Sequence, residues 1–577
     1  MHDLHYQIGF SNPATQLIEI CLTVRNNTES KVQIQLPSWR PGRYELGNFA
    51  KNIRSFSIEK FSGEVLNFQK IKKDLWEVET PNIAEFKVIY TYYACELNAG
   101  SSYLDAEQLY VNPVNCCVYI PNRMNEACVL EIKVPGQYQI AIDLPAATEK
   151  NQFDCTNFDR LADAPFIASA KLQHQIISTS NHHFHLWFMG DVKPDWERLN
   201  TDFKRFCDVQ VDMMGDLPAS DYHFYFQILP TAFYHGVEHT FSTVCALGPG
   251  TKIFKTDFYD ELLGVSSHEL FHAWNVKTIR PSEMLPYDFT TENYSRMGWV
   301  YEGITTWYGD QFLLRSGVFD SKRYLKTLND KLNRHFSSYG RFNQAVAEAS
   351  FDTWLDGYVP GIPHRKTSIY VEGSLVTCMM DFILREKSND TVTVDDLMRR
   401  LYADAIKGMA YSKERILQHL QELSGISFDS FYESYIEGKS DFEPQLEQGF
   451  ARIGMKLEKS FLLSEAEHRF GIKLQETAGQ LSITMLAPGS PAEKAGLMAG
   501  DVLLACNGRK IAQNWSLLTD AQKSIQLHVF SKERLVQVDL AGDDLKWFVS
   551  RTVSMNPDAS PAQRQAYQKW AHQDFPQ

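Results

Sequence analysis

From Leu4 to about Ala168, apolar and polar positions alternate with a period of two, in short runs separated by turn residues. Examples are Leu17-Ile18-Glu19-Ile20-Cys21-Leu22-Thr23-Val24, Lys31-Val32-Gln33-Ile34-Gln35-Leu36 and Phe86-Lys87-Val88-Ile89-Tyr90-Thr91-Tyr92-Tyr93. A side chain that returns to the same face every second residue belongs to a half-buried strand, so this third of the chain is expected to be β-rich and sandwich-like. Pro37-Ser38-Trp39-Arg40-Pro41-Gly42 and Val134-Pro135-Gly136 punctuate it. A helical stretch from Trp196 to Met214 and a strand from Tyr222 to Leu229 lead to His235-Gly236-Val237-Glu238-His239, which reads as a glycine-containing turn. Farther on, Ser321 to His335, Glu372 to Glu386, Val394 to Ala405, Ser412 to Ser424 and Ser427 to Gly438 carry apolar positions at helical spacing and predict a helical bundle. Between the first two of these, Phe351 to Tyr370 reads as an irregular, aromatic segment of the kind that lines a cleft.

Within this pattern, Ser266-Ser267-His268-Glu269-Leu270-Phe271-His272 holds two histidines four apart with a glutamate after the first. On a helix, positions four apart share a face, so both imidazoles can bind one metal ion while Glu269, about 100° around, points beside it at a bound water. This is the H-E-x-x-H signature of zinc hydrolases. The bland alternative is an amphipathic helix with two partly buried histidines. Thirty residues on, Glu302 stands among apolar and aromatic neighbours in Trp299-Val300-Tyr301-Glu302-Gly303-Ile304, on what reads as a second buried helix. An anion buried there needs a partner: a third ligand position on zinc supplies one, a salt bridge to Arg280 another. His182-His183-Phe184-His185 looks like a metal cluster, but in an extended segment His182 faces away from the other two, and a strand is the simpler reading.

Composition narrows the class. The 577 residues exceed one hydrophobic core, and about 150 residues per domain implies several domains. A net charge of −14 argues against a general nucleic-acid binder. The start, Met1-His2-Asp3-Leu4-His5-Tyr6, lacks the basic and apolar segments of a signal peptide, and no run approaches a membrane span, so the chain reads as cytoplasmic. Ten scattered cysteines, without a C-x-x-C pair, read as reduced thiols.

After about Gly454, Phe470-Gly471-Ile472-Lys473-Leu474, Ser490-Pro491-Ala492-Glu493-Lys494-Ala495-Gly496 and Gly500-Asp501-Val502-Leu503 with Asn507-Gly508 resemble a PDZ domain. The resemblance implies a groove in which the Phe470-Gly471-Ile472 loop receives a peptide's chain-end carboxylate. A PDZ fold kept as a structural brace is the alternative. Pro561 to Trp570 reads as a short polar helix that docks on another domain.

Taken together, the residues resemble the glycyl aminopeptidase family of gluzincin zinc metallopeptidases, relatives of aminopeptidase N. The likeness rests on Leu36-Pro37-Ser38-Trp39-Arg40-Pro41-Gly42-Arg43-Tyr44, Gly236-Val237-Glu238-His239, His268 to His272 with Trp274-Asn275-Val276-Lys277, Trp299 to Gly303 and the PDZ-like end. It implies a multidomain α+β protein: an N-terminal β-rich domain (1–168), a thermolysin-like zinc peptidase domain with a helical bundle (169–455), a PDZ domain (456–545) and a tail helix (546–577). It further implies one catalytic Zn2+ on His268, His272 and Glu302, with Glu269 as general base and then acid. Glu238 and Gly236 fall on the substrate-binding side, with Glu238 holding the free α-ammonium, and Tyr370 becomes the donor to the oxyanion. One departure stands out: the family's Y-x-K-G is here Tyr370-Val371-Glu372-Gly373. The implied activity is zinc-dependent removal of small N-terminal residues, glycine or alanine, from peptides. The alternatives are a PDZ-containing binding protein with a silent peptidase core and a zinc endopeptidase.

Overall fold

The computed structural model describes residues 2–576 apart from 180 and 513. Two compact units form: one runs to Val318 and adds Phe351–Gly357 and Val392–Ile426, and the other comprises Phe319–Ser350, Tyr358–Thr391 and the chain from Ser427.

The first unit opens with the β-rich region that the alternation predicts. Its six-stranded sheet runs Gln152–Cys155, Cys128–Lys133, Leu4–Gly9, Leu17–Val24, Phe86–Tyr93, Ile53–Lys60, with smaller sheets around it. Along Phe86–Tyr93 every second residue is buried, Phe86, Val88, Tyr90 and Tyr92, as a two-residue period requires. The chain then builds a five-stranded sheet in the order Gln173–Ser178, His183–Gly190, Asp221–Ile228, Ser242–Gly248, Phe233–Glu238. Helices Trp196–Met214 and Thr256–Phe271 pack against it. Trp187, Tyr225, Val237 and Val244 share a core with Tyr110, Ala141 and Ile167 of the β-rich region. Covered in this way, Asp221–Ile228 is buried along nearly its whole length rather than in alternation.

Three expectations are corrected. His235-Gly236-Val237-Glu238-His239 is not a turn: Phe233–Glu238 is the edge strand of the five-stranded sheet, with Gly236 opposite Cys245 and Glu238 opposite Thr243. Gly236 is not needed for a left-handed backbone; a side chain there would overlap the Glu269 carboxylate. Phe351 to Asp356, expected to be irregular, forms the end of helix Val346–Asp356, and only the stretch after it is irregular. Helix Ile369–Ser388 starts ahead of the expected Glu372, because Ser368 caps it by accepting from the Val371 N–H, and this places Tyr370 in its first turn.

In the second unit, helix Pro561–Ala571 buries Trp570 completely, against Tyr324 and Phe382. The PDZ region has its own core, including Phe470, Ile472, Leu503, Leu527 and Val529. The loop expected to receive a chain-end carboxylate is partly committed internally. The Gly471 N–H donates to the Glu467 carbonyl at 2.9 Å, and the Leu474 N–H donates to Glu467 Oε1 at 3.1 Å. All ten cysteines are free thiols, and no helix of the described residues is long and apolar enough to cross a membrane.

As alternation requires, His185 and His183 share a face that Phe184 does not. His185 stacks on His223 with centroids 4.3 Å apart, and His174 stacks on Trp187 at 3.5 Å. Burial pushes His223 down to about 3 and His174 down to about 4. Both are neutral when folded, whereas an unfolded histidine titrates near about 6.5. The unfolded chain therefore binds more protons below that pH, so this stabilisation is complete above about pH 6.5 and is lost as pH falls toward the folded values. Thermal melts across pH 7 to about 4 should show a steep decline for the natural sequence and a shallower one for His223→Gln.

Candidate active site

The site is assembled from four pieces of the first unit. Helix Thr256–Phe271 carries His268 and Glu269, and His272 caps its end. A π-helical turn, Trp299–Ile304, carries Glu302. Such turns are rare and concentrate at functional sites. The edge strand Phe233–Glu238 supplies Gly236 and Glu238, and the segment after Leu36 supplies Gly42 and Tyr44.

His268 Nε2 and His272 Nε2 lie 3.0 Å apart, and Glu302 Oε2 is 3.7 Å from the first and 3.5 Å from the second. A tetrahedral ion with bonds of roughly 2.0–2.2 Å holds its ligand atoms roughly 3.3–3.6 Å apart; the three separations straddle that spacing, and the three atoms converge closely enough to hold one ion. His272 Nδ1 lies 2.6 Å from the Asn275 carbonyl. A carbonyl can only accept, so Nδ1 carries the proton and Nε2 presents its lone pair to the site. Glu238, Glu269 and His272 form a second cluster of possible ligands. Both clusters draw on His272. The pair of imidazoles with Glu302 is the set of ligands that zinc hydrolases use.

Three carboxylates are buried together here: Glu238, Glu269 and Glu302 are each no more than 5% exposed. Burial opposes the charge of Glu302, but the imidazoles of His268 and His272 beside it overcome that and hold the carboxyl at about 2. Burial likewise opposes the charge of His272, yet Glu238, Glu302 and Glu269 together push it up to about 10. Glu269 is driven well above the usual carboxylate range by burial, with help from Glu238 and Glu302 and against His272. Glu238 Oε1 and Glu269 Oε2 are buried without a hydrogen-bond partner among the described residues. Unpaired buried oxygens of this kind are costly and mark places where a cation or a donor belongs.

The surroundings assign roles that the sequence pattern left open. Tyr44, which the sequence reading did not single out as a site residue, donates its hydroxyl to Glu302 Oε1 at 2.7 Å. Gly42 has φ +82°, and a Cβ there would overlap Glu238 Oε2, so glycine is required both by the backbone and by the approach. The block from Leu36 is pinned beside the site by Trp39, whose Nε1 donates to the Asp288 carbonyl at 2.6 Å and whose ring packs edge-on against Tyr287 and Trp354. Asn275 Nδ2 donates to the Val300 carbonyl at 2.9 Å and to Thr305 Oγ1 at 3.1 Å, tying the end of the histidine helix to the turn that bears Glu302. Lys277 Nζ is buried 2.8 Å from Asp163 Oδ1, and Asp163 also accepts from His239 Nδ1 at 3.0 Å and from Thr240. Asp163 therefore clamps the residues that immediately follow Glu238. Arg280 lies 3.8 Å from Asp159 and over the Tyr287 ring, and it is not a salt-bridge partner of Glu302.

Tyr370 is half-buried in the second unit. Glu372, which replaces the family's lysine, is 4% exposed and lies 2.7 Å from His335 Nδ1, with Phe442 stacked on the imidazole. The departure from the pattern is thus absorbed by an internal pair.

Comparison with known proteins agrees with this architecture. Residues 5–170 match the Peptidase M61 N-terminal domain, 261–376 the M61 glycyl aminopeptidase and 483–536 a PDZ domain. A crystal structure of an aminopeptidase N family protein from Idiomarina loihiensis superimposes with a TM-score of 0.90 at 24% identity, covering 98% of this chain and 100% of that one. An M1 zinc metallopeptidase from Deinococcus radiodurans, solved with a Tyr-Ser-Ala substrate, aligns with a TM-score of 0.45 at 14% identity over 76% of this chain and 94% of its own.

If the Tyr44 hydroxyl orients Glu302, Tyr44→Phe should weaken zinc binding about 10- to 100-fold while leaving the fold intact. Competition with a chromophoric chelator measures this directly, and an unchanged affinity would remove Tyr44 from the site.

Proposed function

The chain belongs to the M61 glycyl aminopeptidase family and is a zinc metallopeptidase, and from that premise we propose that it removes small residues, glycine and alanine above all, from the free amino end of peptides. The observation that carries the exopeptidase reading is Glu238: a buried carboxylate with an unpartnered oxygen, grouped with Glu269 and His272, and cleared of side chains by Gly42. A carboxylate so placed suits a substrate ammonium, held by charge-assisted hydrogen bonds.

We assign His268, His272 and Glu302 to one zinc ion. When bound, zinc supplies polarisation of the scissile carbonyl and lowers the pKa of its water toward about 7. The remaining work falls to the chain's own groups. Glu269, against the bare backbone of Gly236, is placed to take the proton from water and to return it to the leaving amine. Glu238 fixes the amino end, so that the first peptide bond is the one presented. Edge-strand amides near Gly236 are available to hold the substrate extended. Tyr370, assigned through its place in the family's motif, donates to the oxyanion that develops on the scissile carbonyl. The preference for glycine and alanine rests on family membership.

Three outcomes test this reading. Glu269→Gln should cut kcat by at least about 100-fold through loss of proton transfer, with zinc content unchanged by metal analysis. Tyr370→Phe should lower kcat by about 100- to 1,000-fold with a much smaller change in KM. With peptides of matched sequence, N-acetylation should slow cleavage by at least about 10-fold, because it removes the charge that Glu238 is proposed to read. Equal rates on free and acetylated peptides would instead make the enzyme an endopeptidase.

A further inference from the structure

Beside the metal site lies a cavity of about 530 Å³, well within the size range of ligand pockets and far larger than a trapped water needs. Two of its walls are shared with the site. The first is the edge strand: Phe233, Tyr234 and His235 line the cavity, while Gly236 and Glu238, next along the same strand, face Glu269 and the space around it. The second is the segment after Trp39: Arg40, Arg43 and Glu45 line the cavity, while Gly42 meets Glu238 and Tyr44 bonds Glu302. The cavity is therefore the place reached by moving backward along the edge strand from the catalytic groups.

Its chemistry is polar and cationic. Arg40, Arg43 and Lys51 contribute three positive charges against Glu45 and Glu96. Arg43 is held in position by Glu45, with Nε 2.7 Å from Oε1, and Lys51 is exposed on its short helix. Burial first, and then the fields of Arg40 and Arg43, push His235 down to about 3, so it adds no charge but can donate or accept a hydrogen bond.

We propose that this cavity receives the free carboxylate end of short peptides, so that the enzyme acts best on substrates with two or three residues beyond the scissile bond. The inference rests on the reading of Glu238 as the amine anchor. With the amino end there, an extended substrate pairs antiparallel to the edge strand and runs from Glu238 past Gly236 toward Phe233. At about 3.3 Å per residue, two or three residues past Gly236 span roughly 7–10 Å, the length of strand that lines the cavity. A chain end arriving among Arg40, Arg43 and Lys51 gains charge-assisted hydrogen bonds that an amide end does not.

Calorimetric titration of zinc-loaded Glu269→Gln protein separates the two readings without relying on turnover. Trialanine, its C-terminal amide and its N-acetyl derivative are the three probes. The free acid should bind at least about tenfold tighter than the amide, and Arg43→Met and Lys51→Met, introduced singly in that background, should each shrink the difference, with melting temperature and zinc content confirming intact protein. Equal binding of acid and amide, absence of millimolar binding by trialanine, or a preference that survives both substitutions would overturn the carboxylate site. Equal binding of trialanine and its N-acetyl form would instead count against Glu238 as the amine anchor, whatever the amide comparison shows.

Discussion

Three carboxylates share one buried pocket around two imidazoles, and the rest of the first unit is organised to make that arrangement tolerable. Glu238, Glu269 and Glu302 repel one another, and burial magnifies the repulsion. The neighbouring histidines offset part of the cost, and Glu238, Glu302 and Glu269 drive His272 strongly basic in return. In the proposed function, a divalent cation on His268, His272 and Glu302 and an ammonium at Glu238 would complete the neutralisation. On this account the electrostatic cost that the fold carries in the free state is the same quantity that selects a metal and an amine-bearing substrate.

Holding such a pocket together takes more than the histidine helix. Asn275 ties the end of that helix to the π-helical turn bearing Glu302, and Lys277 with Asp163 anchors the chain that leaves Glu238. The N-terminal β-rich region is equally involved, since it delivers Gly42, Tyr44 and Asp163 to the site. Fold and site are therefore coupled across 258 residues of sequence, from Tyr44 to Glu302, and the β-rich region forms part of the candidate site.

The sequence disclosed what local chemistry encodes. Period-two alternation marked the strands, helical spacing marked the bundle, and the four-residue interval between His268 and His272 placed both imidazoles on one face. Glu302 was legible because a carboxylate among Trp299, Val300 and Tyr301 demands a partner. Gly236 was read as a turn, since glycine punctuates turns more often than it makes room for a catalytic side chain inside a strand. The parts played by Gly42, Tyr44 and Lys277 depend on contacts separated by more than a hundred residues, which no local period encodes. Glu372 looked like a broken motif until His335, 37 residues away, was seen to pair with it.

The central claim is that one zinc sits on His268, His272 and Glu302, with the substrate's amino group on Glu238. Anomalous diffraction at the zinc absorption edge, from crystals of the zinc-loaded protein soaked with an amino-acid product, tests both halves at once. The account predicts one anomalous peak within bonding distance of those three side chains and the product's amine against the Glu238 carboxylate. A peak centred instead on Glu238, Glu269 and His272, or an amine directed away from Glu238, would contradict it.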